Sequence, residues 1–297
     1  MKKLLTLTLI LFSLPIISQE NLTYTNEKGE KHLIGEIPIK MLETDTTYSF
    51  WYLSSAEEFT LSEKDTEWAS KLNDTKVEIY FGSWCGDSQN YVPKFIKLWR
   101  ELGLKESNLK LIALYDNGVE GKYKQGPNQE EKGLKIHRVP TFIFRNNENE
   151  IARIVEYPVN DLETDLAQIA LGYPSNPNYR AANYMLDLFE NNTLEEIDNE
   201  RRKHVIECYY KSGKSRELNT LGYVLLDAGR IDEALTVFLF NTFIFPYEPN
   251  VYDSYAEANM IAGNYDIAKQ FYNKVLELDA DNENAKSKLE ELENMNP

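Results

Sequence analysis

Apolar and polar positions follow two rhythms along this chain, and the rhythm changes once. Val77 to Phe81 is a short apolar run ending at Gly82, the pattern of a buried strand. Tyr91, Phe95, Leu98 and Leu102 then recur at three- and four-residue spacing, which predicts a helix. Leu109 to Tyr115 and Thr141 to Phe144 predict two more strands, and Ile151 to Val155 a fourth, after the polar turn Asn146 to Asn149. Leu162, Leu166, Ile169 and Leu171 mark a closing helix. This order suits an open α/β layer over residues 59–172. Residues 19–58 are mixed, with strand-like pieces at Leu33 to Ile39 and Tyr48 to Leu53. They are expected to form an N-terminal extension, either an extra sheet edge or a segment lying over the sheet.

Gly172 to Asn178 gathers Gly, Pro, Ser and Asn, which predicts a linker over 173–180. From 181 to 297 the pattern is helical throughout, and it repeats. A shift of 34 residues superposes Gly222 on Ala256, Gly229 on Gly263, Ala234 on Ala268, and Phe238 on Tyr272. The small residues are expected to let paired helices approach closely, with the aromatic filling the space between them. Period and residue logic resemble the tetratricopeptide repeat, which implies helix pairs near 218–250 and 251–283. A charged helix from Asn284 to Asn294 would cap the stack. Two repeats are marginal alone, so helices over 181–212 should complete the array.

Charge narrows the partners. The 297 residues include 48 acidic and 32 basic side chains, a formal net charge of -16. Such a surface argues against nucleic acid, whose phosphates need clustered Lys and Arg. Two cysteines, Cys85 and Cys208, are too few for a disulfide scaffold or a tetrathiolate zinc site. With His32, His137 and His204 far apart in sequence, neither a metal nor a cofactor is expected. Lys2 and Lys3 precede an apolar run from Leu4 to Ile17, broken by Pro15 and followed by Ser18. The run is too short for a stable membrane span and reads as a signal peptide over 1–18. The expected location is therefore periplasmic or secreted, an oxidising setting for both thiols.

The chemistry centres on Trp84-Cys85-Gly86-Asp87-Ser88, where a strand gives way to a helix. A cysteine at a helix start lies near free N–H groups that favour thiolate, and Pro93 would kink the helix behind it. With Arg138-Val139-Pro140-Thr141-Phe142 and the hairpin Asn149 to Arg153, residues 60–171 resemble the thioredoxin family. The resemblance implies a cis-proline at Pro140 facing Cys85, and a groove that binds extended polypeptide. Trp84, Gly86, Val139, Pro140 and Thr141 would line that groove, with Cys85 as nucleophile and Ser88 as its polar neighbour.

The departures from that family reshape the expectation. Ser88 stands where the family has its second cysteine, and Ile79 where it has a buried carboxylate. Glu78 is adjacent, but strand alternation turns it to the opposite face. Asp87 adds negative charge beside the thiol. Ordinary dithiol reductase activity is therefore not expected. What is expected is monothiol exchange with, or trapping of, exported polypeptides; the alternative is a non-catalytic adaptor using the groove and the repeats. Monothiol glutaredoxins share Cys-Gly-x-Ser, but Trp84 and the lack of a glutathione-binding charge set separate this chain from them. Cys208 is read as a small core residue or as a distant resolving thiol. His137 is read as solvated or packed, or as a group near the groove that stabilises a thiolate, and Arg138 as a partner contact or surface charge.

Overall fold

A computed structural model describes residues 22–62 and 65–295. The proposed signal peptide, 1–18, lies outside the described residues. The N-terminal region is mixed α/β, and a long run of helices follows it. Strands β1 (Thr23–Thr25) and β2 (Lys31–Leu33) form a two-stranded antiparallel ribbon. Gly35, at a φ of +78° that favours glycine, turns the chain into β3 (Gly35–Ile37). Helices α1 (Ile39–Thr44) and α2 (Thr46–Glu57) come next, then β4 (Lys76–Phe81) and α3 (Gly86–Glu101). Strands β5 (Leu109–Ala113), β6 (Thr141–Asn146) and β7 (Asn149–Val155) precede α4 (Leu162–Leu171).

The main sheet has the order β3-β5-β4-β6-β7; β4 and β5 run parallel and the other pairs antiparallel. Alternation divides β4 between two cores. Val77, Ile79 and Phe81 pack with Phe95 and Trp99 of α3 and with Phe142 and Phe144 of β6. Tyr80 joins Ile112, Ile143 and Val139 on the other face. The N-terminal region thus adds an edge strand, since Gly35, Glu36 and Ile37 of β3 pair with Ala113, Ile112 and Leu111.

The expected strand at Tyr48 to Leu53 is instead part of α2. Its run of Tyr, Phe and Trp has high β propensity, but packing overrides it. Asp45 caps the helix by accepting from the Thr47 N–H, and Tyr48 and Tyr52, one turn apart, are buried while Phe50 and Leu53 are exposed.

The remaining helices are α5 (Arg180–Asn191), α6 (Leu194–Asn199), α7 (Arg201–Lys211) and α8 (Arg216–Asp227). They continue as α9 (Ile231–Ile244), α10 (Pro249–Ile261), α11 (Tyr265–Leu278) and α12 (Glu283–Met295). The pairs α8/α9 and α10/α11 repeat the 34-residue unit. A Cβ added to Gly222 would sit 2.5 Å from the Phe238 ring, so glycine is what lets α8 and α9 meet there. Ala256 and Tyr272 form the corresponding joint, both fully buried. Gly229 and Gly263 have a different reason. Their φ values are +72° and +79°, and open space surrounds them. They end helices in the left-handed conformation rather than permit close approach. Helix α12 buries Ala285 and Leu292 against the last pair. Among the described residues, no helix is long and apolar enough to cross a membrane.

Candidate functional site

The turn from β4 to α3 builds the site. Cys85 is the N-cap residue of α3, held by its N–H to the Gly82 carbonyl at 3.0 Å. Its carbonyl receives the Gln89 N–H at 2.9 Å, the first turn of the helix. The sulfur thus sits at the positive end of a 16-residue helix. It is partly exposed, and it donates to the Val139 carbonyl at 3.3 Å. The Val139–Pro140 bond is cis. Trp84 is fixed by its indole N–H on the Leu114 carbonyl at 2.9 Å, and its ring lies so close to Gly82 that a Cβ there would be 2.5 Å from it.

Cys85, Trp84, Val139 and Pro140 are therefore brought together, with exposed Gly86 beside them. The other two expected site residues turn inward. Ser88 is fully buried, and its hydroxyl accepts from the Gly82 N–H at 3.2 Å. It braces the turn, while the sulfur's partner is the Val139 carbonyl. Thr141 is also buried, and its hydroxyl donates to the Arg138 carbonyl at 2.7 Å, which stiffens the loop instead of facing a groove. Ile79 lies in the core, and Glu78, on the opposite face, pairs with Arg145 at 2.9 Å.

Sequence reasoning missed a set of charged groups near this turn: Lys124 from the loop between β5 and β6, Glu156 after β7, and Asp227 at the end of α8. Lys124 is only 3% exposed, at a φ of +58°. Its N–H bonds the Tyr115 carbonyl and the Tyr115 N–H bonds the Gln125 carbonyl, both at 3.0 Å. The ammonium lies 3.3 Å from the Tyr123 ring centroid and 5.8 Å from that of Trp84. Burial, and after it the Arg138 charge, hold the Lys124 amine well below the usual lysine range; Cys85, Glu156 and Asp227 act against this. Burial raises the Glu156 and Asp227 carboxyls.

Several of these groups tie the loop to the helices. Arg138 bonds Glu156 at 3.4 Å and the Arg216 carbonyl at 2.9 Å, and its guanidinium lies 4.5 Å from the Tyr179 ring centroid. Asp227 of α8 receives the Tyr123 N–H at 3.3 Å, and its carbonyl accepts from Gln125 at 3.0 Å. Arg138 is thus neither a free surface charge nor an open partner contact. A cleft of about 360 Å³ lies between the loop and helices α5 and α8, lined by Lys124, Ile136, Leu186, Leu221 and Val224 among others.

His137 is packed. Burial pushes its imidazole down to about 3, so it is neutral; Nδ1 contacts the Lys135 carbonyl at 3.1 Å, and Nε2 has no hydrogen-bond partner among the described residues. A neutral ring supplies no charge for a thiolate. Cys208 is fully buried among repeat-core residues, where burial pushes its thiol up to about 12. Both cysteines are free. That placement fits the core reading and not a resolving thiol.

Elsewhere the fold unites residues that are distant in sequence. Ligand-type atoms of Glu30, His32 and Asp116 lie within 4.8 Å of one another. The Asn26 amide donates to Asp116 at 2.8 Å and to Glu30 at 2.9 Å, so hydrogen bonds already satisfy these carboxylates.

No protein-family model matches this chain, and no curated protein matches it. Among solved structures it is similar to the first tetratricopeptide-repeat domain of Spaghetti (RPAP3) bound to the HSP90 peptide SRMEEVD. The identity is 15% and the TM-score 0.27, over 39% of this chain and 92% of that one.

Proposed function

We propose that this is an exported, thioredoxin-like monothiol protein that forms mixed disulfides with exported polypeptides, while its tetratricopeptide-like repeats hold a polypeptide segment. The observation that carries the reading is the Cys85 sulfur itself: at the start of α3, partly exposed, 3.3 Å from the carbonyl that precedes the cis-proline. The strand order around β4 supports the same reading.

In the reaction the thiol first loses its proton to solvent. The Cys85 thiolate attacks one sulfur of a substrate disulfide, so a Cys85–substrate S–S bond forms and the substrate S–S bond breaks. The departing sulfur leaves as thiolate and takes a proton from water. Ser88 replaces the local second thiol and Cys208 is sealed in a core, so release of the adduct requires an outside thiol, small or protein-borne.

The test uses the full chain with Cys208→Ala, expressed with its native partners and run on non-reducing gels. Adducts that collapse on reduction and vanish in Cys85→Ser are the expected result. No reducible adduct in the protein that retains Cys85 would leave a non-catalytic adaptor.

A further inference from the structure

Two clefts flank the linker, and they differ in charge. In the larger, of about 710 Å³, each cation already holds a carboxylate: Lys135 pairs with Asp187 and Glu190, Arg153 with Glu150, and Arg145 with Glu78. The smaller, of about 410 Å³, opens where β7 has ended, against the start of α5 and the turn between α7 and α8. Arg180, Lys211, Lys214 and Arg216 line it. Lys211 pairs with Glu207 at 2.6 Å, but among the described residues no ion pair engages the other three, all of them exposed. Glu217, the one carboxylate among the described lining residues, is buried and turned to the Ala181 and Ala182 N–H groups of α5.

A chain of formal net charge -16 thus presents an uncompensated positive wall to one cleft. A concave wall of one sign focuses the field and draws anions to it. Its cations rise from two separate elements, Arg180 at the start of α5 and Lys214 with Arg216 at the start of α8, and all stand at the rim. Such a rim suits carboxylates spaced along a chain better than one compact phosphate. Exposed Tyr157 and Val159, with the half-buried Tyr179 ring, offer apolar surface to the same chain.

The cleft also shares a wall with the cis-proline loop. The Glu156 N–H bonds the Pro140 carbonyl at 2.7 Å, and Tyr157 follows directly. Arg138, next to the Val139 that receives the Cys85 thiol, bonds the Arg216 carbonyl at 2.9 Å and lies 4.5 Å from the Tyr179 ring centroid. None of the described lining comes from α9, α10 or α11, so this is not the surface between the 34-residue units.

We infer that this cleft binds an acidic segment of an extended polypeptide. The inference rests on the reading of polypeptide partners above and names the class of chain selected: one whose acidic stretch docks at the linker, beside the loop that faces Cys85.

The experiment follows the fluorescence anisotropy of a short labelled peptide of alternating Glu, Gly and Ser, mixed with the full chain under reducing conditions, and of its Gln counterpart. The Glu peptide should bind and the Gln peptide should not, and binding should weaken as salt rises to physiological strength. Arg180→Gln, Lys214→Gln and Arg216→Gln should each weaken it about two- to threefold, and together about tenfold or more. Lys40→Gln, Lys71→Gln and Lys105→Gln combined alter net charge equally at exposed positions outside the cleft, and should leave binding nearly unchanged. The single variants carry the test should the triple protein fail to fold. Equal losses from the two triple variants, or no binding of the Glu peptide, would overturn the inference. Inorganic phosphate that displaces the peptide far better than chloride at equal ionic strength would overturn it in favour of a compact anion. Phosphatidylglycerol vesicles that bind through the three cations where the peptide does not would overturn it in favour of a membrane surface. Cys85→Ser should bind the peptide as the wild type does. Cys85 adducts without peptide binding would overturn the cleft alone, and peptide binding through the cleft without adducts would overturn the mixed-disulfide reading alone.

Discussion

Acid should destabilise this protein in part through His137. Its imidazole is neutral and buried, titrating at about 3 against its ordinary 6.5. Below pH 6.5 the unfolded chain binds a proton that the folded chain refuses. Stability from the neutral ring is thus complete above 6.5 and drains as pH falls toward 3. Each pH unit in that window costs about 1.4 kcal/mol, so this one group removes about 2 kcal/mol by pH 5. His137→Leu abolishes the titration. It also loses the contact with the Lys135 carbonyl, a cost of about 1 kcal/mol at pH 7. Urea unfolding of both proteins at pH 7, 6 and 5 gives the comparison, because carboxylate titrations common to both cancel in the difference. The variant should begin less stable, overtake the wild type a little below pH 6, and lead it by about 1 kcal/mol at pH 5. Two stability curves that stay parallel from pH 7 to 5 would refute the argument.

Two further outcomes bear on the helices. Gly222→Ala gains about 1 kcal/mol of helix propensity but drives a methyl into the Phe238 ring, and overpacking costs about 1–3 kcal/mol. A lower urea midpoint is expected, partly recovered by adding Phe238→Leu; a higher midpoint would mean the joint is loose. Glu217, buried in α8, accepts from the Ala181 and Ala182 N–H groups at 2.8 and 3.1 Å and so caps α5. Glu217→Ala orphans both donors and should cost about 2–4 kcal/mol, whereas Glu217→Gln keeps an acceptor and should cost less than half as much, both read from urea unfolding.

The legible parts of this fold are those with a local cause. Val77 to Phe81, Thr141 to Phe144 and the helix from Leu162 announce themselves by periodicity, and the Gly222–Phe238 joint by its recurrence 34 residues later. Helix α2 is hidden because its aromatic residues favour strands in isolation, and only packing decides. The family resemblance implies Ser88 and Thr141 beside the thiol but cannot show that both hydroxyls turn to backbone groups. Lys124 carries no sequence signal at all. Its place comes from backbone bonds across a loop to Tyr115 and from a carboxylate more than one hundred residues later, Asp227.

Joint ownership of the thiol's surroundings has a practical consequence. Arg138 spans an acid after β7, the linker ring of Tyr179 and a carbonyl of α8, and it immediately precedes the peptide that receives the Cys85 thiol. Cutting the chain at the linker would strip the Tyr179 ring and the Arg216 carbonyl from Arg138 and remove Asp227 from the field around Lys124. The excised α/β half would keep its strands and its cysteine, yet would report the chemistry of a different, wetter site. The setting of Cys85 belongs to the undivided chain.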